Sequence, residues 1–393
     1  MLAVVGGEVH TVARETFPAG TVLVEEGKIV AVGHAHAVEV PRGAEVLDAR
    51  GCVVTPGFVD AHTHAGIHEE GVGWEGADYN ETADPLTPHL RARDGINPDD
   101  DGIRDALRAG VTAAFVTPGS ANVLGGLGCV IRLAGERVDD MVLRDPAGLK
   151  AAFGENPKRA HGRDQKKSPI TRMAIAGLLR ETFVKAKAYA EKRALRDPDK
   201  RPDHDLRLEA VLRVLRGEIP LRCHAHRADD ILTALRLGEE FGIQVAIDHA
   251  TEAHLVADRL AARRVPCLVG PSMSSRAKVE LRRRGFATPG LLERAGVPVC
   301  LITDHPVTGL EYLPVCAGLA VRAGMSPEGA LRAITLTPAE VLGVDDRIGS
   351  LEPGKSADLV VHRGHPFELA SRLSAVVVAG RVVVQEQAGG APR

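Results

Sequence analysis

Aromatic side chains are scarce, at 3% of the 393 residues, with one Trp and three Tyr. A core of stacked rings is excluded, so the interior must be filled by Val, Ile, Leu and Ala. No apolar run approaches the roughly 20 residues needed to cross a bilayer. The N-terminus also lacks the basic region and cleavage site of a secretory leader. Cys52, Cys129, Cys223, Cys267, Cys300 and Cys316 form no C-x-x-C pair. All but Cys316 sit in apolar strand-like runs, which points to free thiols in a reducing cytoplasm. Neither charge dominates: 49 basic residues face 52 acidic ones, for a formal net charge of −3. No nucleic-acid or membrane-surface partner is therefore expected, while assembly of identical chains stays open. There is no G-x-S-x-G, and Ser120 in Gly119–Gly125 lacks a flanking base, so nothing in the sequence supports a serine nucleophile.

What is present falls into three parts. Residues 1–50 read as short strands and turns, as does the far end from Ala357 through Val384. Neither end alone buries enough surface to be comfortable as a domain, so the two are expected to build one composite β-sandwich, residues 1–55 with 346–393. The middle, 56–345, alternates strand-like runs with amphipathic helices that stop at glycine (Asp101–Ala109, Asp229–Phe241, Leu291–Ala295). Strand-like runs fall at 52–59, 111–117, 128–133, 148–153, 219–225, 244–248, 265–270 and 298–303. Eight β/α units fit a closed (β/α)8 TIM barrel, of the α/β class, better than an open sheet. An open sheet would also want a Gly-rich phosphate turn after its first strand, where this chain has His62-Thr63-His64.

The stretch Pro56-Gly57-Phe58-Val59-Asp60-Ala61-His62-Thr63-His64 organises the chain. Two histidines spaced two apart on an extended strand point to the same side, as a metal needs from one strand. With 16 His in the chain, roughly one such pair is expected by accident, so the context decides. Other polar residues end predicted strands: Glu155 the fourth, His224 and His226 the fifth, His249 the sixth and Asp304 the eighth. A histidine or carboxylate there costs several kcal/mol in desolvation unless paired. One shared metal site at one barrel rim is the simplest partner for all of them.

The motif P-G-F-V-D-A-H-T-H resembles the first-strand signature of the amidohydrolase superfamily, and the likeness runs through Thr335–Glu340 and Ile348–Asp358. Among its branches the chain is most similar to imidazolonepropionase and its relatives, which open cyclic amides. The resemblance implies one or two divalent metal ions, zinc first, with manganese or iron as alternatives. It implies His62, His64 and Asp304 around the more buried ion, and His224 and His249 around a second ion or the substrate. A fourth-strand carboxylated lysine or a glutamate is expected as the bridge; Glu155 is favoured over Lys150, which lies near the strand's start. His226 is expected to be a second-shell or substrate group. Arg172, from the basic stretch after Glu155, and Ser120 and Asn122, after the second strand, are expected substrate contacts. His254 is expected to be structural, and His68, His89 and His305 have no assigned role.

The expected chemistry is hydrolysis of a C–N bond in a small cyclic or linear amide, in the class of hydrolases acting on carbon–nitrogen bonds other than peptide bonds. The metal lowers the pKa of its water, Asp304 is general base and then acid, and His249 helps to stabilise the oxyanion. A metallo-dipeptidase or N-deacetylase is the near alternative. A deaminase or a non-catalytic barrel stands further off.

Overall fold

The computed structural model describes residues 1–386; residues 387–393, included in the expected terminal domain, lie outside the described residues. In chain order the strands are β1 (Leu2–His10), β2 (Thr16–Glu25), β3 (Lys28–His34), β4 (Glu45–Asp48), β5 (Val53–Pro56), β6 (Phe58–Thr63), β7 (Val111–Val116) and β8 (Leu124–Arg132). They continue as β9 (Val142–Ala152), β10 (Leu221–Ala225), β11 (Val245–His249), β12 (Cys267–Val269), β13 (Val299–Leu301), β14 (Leu359–Arg363), β15 (Arg372–Val378) and β16 (Arg381–Gln385).

Both chain ends meet in one hydrogen-bonded sheet, ordered β16-β15-β14-β5-β1-β2-β3 with β4 also on β1. The join is β14 lying antiparallel on β5, Leu359 opposite Pro56 and Val361 opposite Val54. Period-two alternation sorts the valines between two cores. Leu359 and Val361 pack with Val4, Val22 and Val54 inside the sheet domain, whereas Val360 and Val376 turn to the other face, against Leu107 of the 101–108 helix.

The other eight strands form a TIM-type barrel sheet in the order β13-β12-β11-β10-β9-β8-β7-β6. Helices such as Asp101–Arg108 and Ala228–Phe241 lie between its strands. The first is capped by Asp100, whose side chain accepts from Gly102 N, and the second ends on left-handed Gly242. One strand departs from the expected uniform β/α repeat: β8 runs antiparallel to both β7 and β9. The cause is connection length. Residues 117–123 are too few for a parallel crossover, which needs about a dozen residues, so the chain turns back as a meander.

No β13–β6 ladder is formed. The barrel is drawn shut at its rim, where Asp304 N donates to His62 O (3.2 Å) and His64 N to His305 O (3.0 Å). Asp60 of the motif fastens the same seam, accepting from His62 N (2.9 Å), Thr303 N (2.9 Å) and Thr303 Oγ1 (2.7 Å). Inside the barrel, Val59, Ala113, Phe115, Leu268, Cys300 and Ile302 pack with Ala339 and Leu342 of the 336–342 helix. Above this apolar plug lies a charged layer of Lys150, Arg222 and Asp248, with Arg222 stacked 4.4 Å over the Phe115 ring.

Gly57 marks the passage from sheet to barrel, and its N–H donates to Asp358 O (2.9 Å). A Cβ there would sit 2.1 Å from Thr112 Oγ1 on β7. Gly57→Ala is therefore expected to destabilise the protein by about 1–3 kcal/mol through overpacking. Urea unfolding measures this, and an unchanged midpoint would contradict it.

Candidate metal centre

Five buried imidazoles converge at the C-terminal rim of the barrel, and each is held by its Nδ1. His62 Nδ1 donates to Asp248 Oδ2 (3.0 Å), His64 Nδ1 to Thr117 O (2.6 Å) and His249 Nδ1 to Gly270 O (3.0 Å). His224 Nδ1 meets Ser120 Oγ (2.8 Å) and His226 Nδ1 meets Thr251 Oγ1 (2.8 Å). A carbonyl or carboxylate can only accept, so in His62, His64 and His249 the proton sits on Nδ1 and Nε2 carries the lone pair. Burial, the main cause, favours the neutral form of four of them: His249 is pushed down to about 3, His64 is lowered, and His224 and His226 are held well below the usual imidazole range. Neutral imidazole is the form that binds a metal.

The His62 and His64 lone pairs lie close to a carboxylate. Asp304 Oδ1 lies 3.3 Å from His62 Nε2 and 3.4 Å from His64 Nε2, and His249 Nε2 is buried with no partner. Lone pair against carboxylate repels in a low-dielectric interior unless a cation stands between them. Among the described residues two groups have ligand atoms within 4.8 Å of one another: His62, His64 and Asp304, and His224, His226 and His249. The nitrogen and oxygen donors and their hydrogen-bonded supports suit a divalent ion such as zinc. Backbone strain accompanies the arrangement. His249 (φ 73°) and Asp304 (φ 55°) both adopt the left-handed region at the ends of their strands, at a cost of about 1–3 kcal/mol each.

Several expectations change. Glu155 lies in neither ligand group; its N–H donates to Glu280 Oε1 (2.8 Å). Lys150 comes to the centre instead, fully buried, with Nζ 3.3 Å from His62 Nε2 and 3.7 Å from Asp248 Oδ2. On β9 it is level with Arg222, two residues below His224, as its depth along the strand suggests. The length of the lysine side chain makes up the difference. Burial lowers its amine to about 8, against the pull of Asp248 and Asp304. His226, expected behind the ligands, shares the group with His224 and His249. His249 has its Nδ1 proton committed to Gly270 O, so the Nε2 of the neutral ring can accept but has no proton to donate to an oxyanion.

The expected substrate contacts also move. Arg172 is tied to Asp230 (2.9 Å) and Glu280 (2.7 Å) rather than free for a ligand. Asn122 is buried in the loop scaffold, donating to Thr87 Oγ1 (2.8 Å) and accepting from His161 Nε2 (2.8 Å). Ser120 acts on His224. His254 and His305 lie outside both ligand groups, as do His68 and His89. Residues that sequence reasoning missed are Asp248, which orients His62; Thr117, which orients His64; and Asn156 with Lys278. Asn156 Nδ2 is 3.4 Å from His224 Nε2, and Lys278 Nζ donates to Asn156 Oδ1 (3.0 Å). Tyr79 roofs the site, with its ring 5.1 Å from that of His64.

A model of the amidohydrolase family matches residues 53–383. The crystal structure of an amidohydrolase from Thermotoga maritima is 44% identical with a TM-score of 0.94, covering 98% of this chain and 100% of that one. Imidazolonepropionase of Symbiobacterium thermophilum is 28% identical over 414 residues, 94% of this chain and 91% of that protein. Amidohydrolase tasK of Hapsidospora irregularis is 32% identical over 375 residues. That match takes in 88% of this chain, which spans only 38% of the relative's length.

Zinc added to chelator-stripped protein should raise the thermal midpoint, with about 2.7 kcal/mol of stabilisation at a hundredfold excess over the dissociation constant. His249→Ala should weaken the response. A midpoint indifferent to zinc, manganese and iron would contradict the site.

Proposed function

The chain belongs to the amidohydrolase family, hydrolases of carbon–nitrogen bonds other than peptide bonds, and we propose that it cleaves the C–N bond of a small cyclic or linear amide. The observation that carries this reading is the convergence of Nδ1-anchored imidazoles on Asp304. His62, His64 and Asp304 would hold one divalent ion, and His224, His226 and His249 a second ion or the face of the substrate. Zinc is the favoured ion. When bound, it supplies an acidified water at neutral pH and polarises the scissile carbonyl.

The chain's own residues do the rest. Asp304 Oδ1 faces His62 and His64, which leaves Oδ2 to take a proton from the attacking water and return it to the leaving nitrogen. Asp248 and Thr117 O fix the tautomers of His62 and His64, so neither ring can swing its protonated nitrogen inward. Lys150, rather than Glu155, would hold the fourth-strand place. With its amine pushed down to about 8, Lys150 has an uncharged fraction at neutral pH, the form that adds carbon dioxide as a carbamate and releases a proton. The buried imidazoles under Tyr79 favour a small amide over a polypeptide. Among the described residues no helix is long and apolar enough to cross a membrane, and six free, buried cysteines suit the cytoplasm proposed for it.

The test is a panel of lactams, hydantoins, N-acyl amino acids and dipeptides assayed with zinc or manganese. Asp304→Asn should cut turnover of any substrate found by about 10²–10⁴-fold. Glu155→Gln should leave metal content near native, while Lys150→Met lowers it. Undiminished turnover in Asp304→Asn, or metal loss in Glu155→Gln with none in Lys150→Met, would overturn these assignments.

A further inference from the structure

Among the described residues, the two most exposed large apolar side chains of the barrel part are Trp74 at 92% and Met173 at 80%. Val72, two residues before the first, and Ile170, three before the second, are exposed as well. Trp74 lies on the segment after β6 and Met173 just past the one after β9, so both belong to the rim where those strands end. Monomers rarely leave large apolar side chains bare in company. Neither is bare because its chain is slack. Around Trp74, Glu69 N donates to Gly76 O (2.9 Å), Ala77 N to Trp74 O (3.1 Å) and Glu70 N to Asp100 Oδ1 (2.9 Å). Met173 sits in the first turn of the 172–193 helix, capped by Thr171, whose Oγ1 accepts from Ala174 N (3.1 Å).

The two segments carry opposite charge. Residues 65–90 have no Lys or Arg and expose Glu70, Glu75, Asp78 and Glu81. Residues 158–173 expose Arg159, Arg163, Lys166 and Lys167, and their single acid, Asp164, pairs with Arg163 (2.8 Å). Among the described residues, Glu75, Asp78, Arg159, Lys166 and Lys167 have no opposite charge within 4.0 Å, and no ion pair joins one segment to the other. An acidic segment presenting Trp and a basic segment presenting Met are complementary in charge, yet one chain cannot bring its own two together. A second copy related by a two-fold axis can, because each segment then meets its opposite on the partner and the contact is made twice.

We propose that this rim is an interface between two copies of the chain, with the acidic Trp74 segment of one copy seated on the basic Met173 segment of the other, and the reverse. Trp and Met are side chains enriched at interfaces and supply the apolar anchors. The charges around them set the partner and the register. The inference does not depend on the hydrolase reading.

Sedimentation equilibrium of the full chain across micromolar concentrations tests it. The native protein should be a dimer that weakens as salt is raised. Glu75→Lys with Asp78→Lys, and separately Lys166→Glu with Lys167→Glu, should each give a monomer with a native thermal midpoint. An equimolar mixture of the two variants should dimerise again, because both contacts of the mixed pair join opposite charges. That recovery separates a lost contact from a damaged fold. Trp74→Ser in the otherwise native chain should weaken the dimer by about tenfold or more. A native protein that stays monomeric, open-ended growth with concentration, a dimer that persists in either reversed variant, or a mixture that stays monomeric overturns the inference.

Discussion

Everything at the rim follows from where the imidazole protons go. Asp248, Thr117 O and Gly270 O accept the Nδ1 protons of His62, His64 and His249, and so leave three Nε2 lone pairs pointing inward. Asp304 adds a carboxylate to the same small volume. Such a collection of acceptors is unstable alone and becomes a strong site once a divalent cation enters it.

The barrel below is arranged to hold that collection in place. Asp248 could not stay ionised in the interior without Arg222, which donates to its Oδ1 from Nε (3.1 Å) and Nη2 (2.8 Å); burial would raise its pKa, but Arg222, His62 and Lys150 hold it well below the usual carboxylate range. Removing either member of such a buried pair typically costs about 3–5 kcal/mol, so the charged layer is tied to the fold as firmly as the valines beneath it. The seam that shuts the barrel is made by the backbone of three candidate ligand residues and the neighbouring His305, Asp304 on His62 and His64 on His305. Closing the fold and assembling the site are one event.

Much of this was legible in the sequence because strands with a period of two and helices ending on glycine leave a clear trace. The motif at 56–64 located His62 and His64, and strand ends located His224, His249 and Asp304. The composite sheet could be read from the valine-rich ends, neither able to bury a core alone. What could not be read involved side-chain reach and partner choice. By backbone position alone Lys150 reads as too deep, and its side-chain length makes up the difference, while Glu155, at the right height, lies in neither ligand group. Arg172 carried the right charge, but its neutralisation by Asp230 and Glu280 involves partners 58 and 108 residues away. The reversal of β8 depended on a loop seven residues too plain to announce its direction.

The most direct test of the account is X-ray absorption at the zinc edge of the reconstituted full chain. The account predicts a first shell of nitrogen and oxygen at about 2.0–2.2 Å, with the outer-shell scattering of at least two imidazoles and no sulfur near 2.3 Å. A sulfur-containing shell, or a shell of oxygen alone without imidazole scattering, would contradict it.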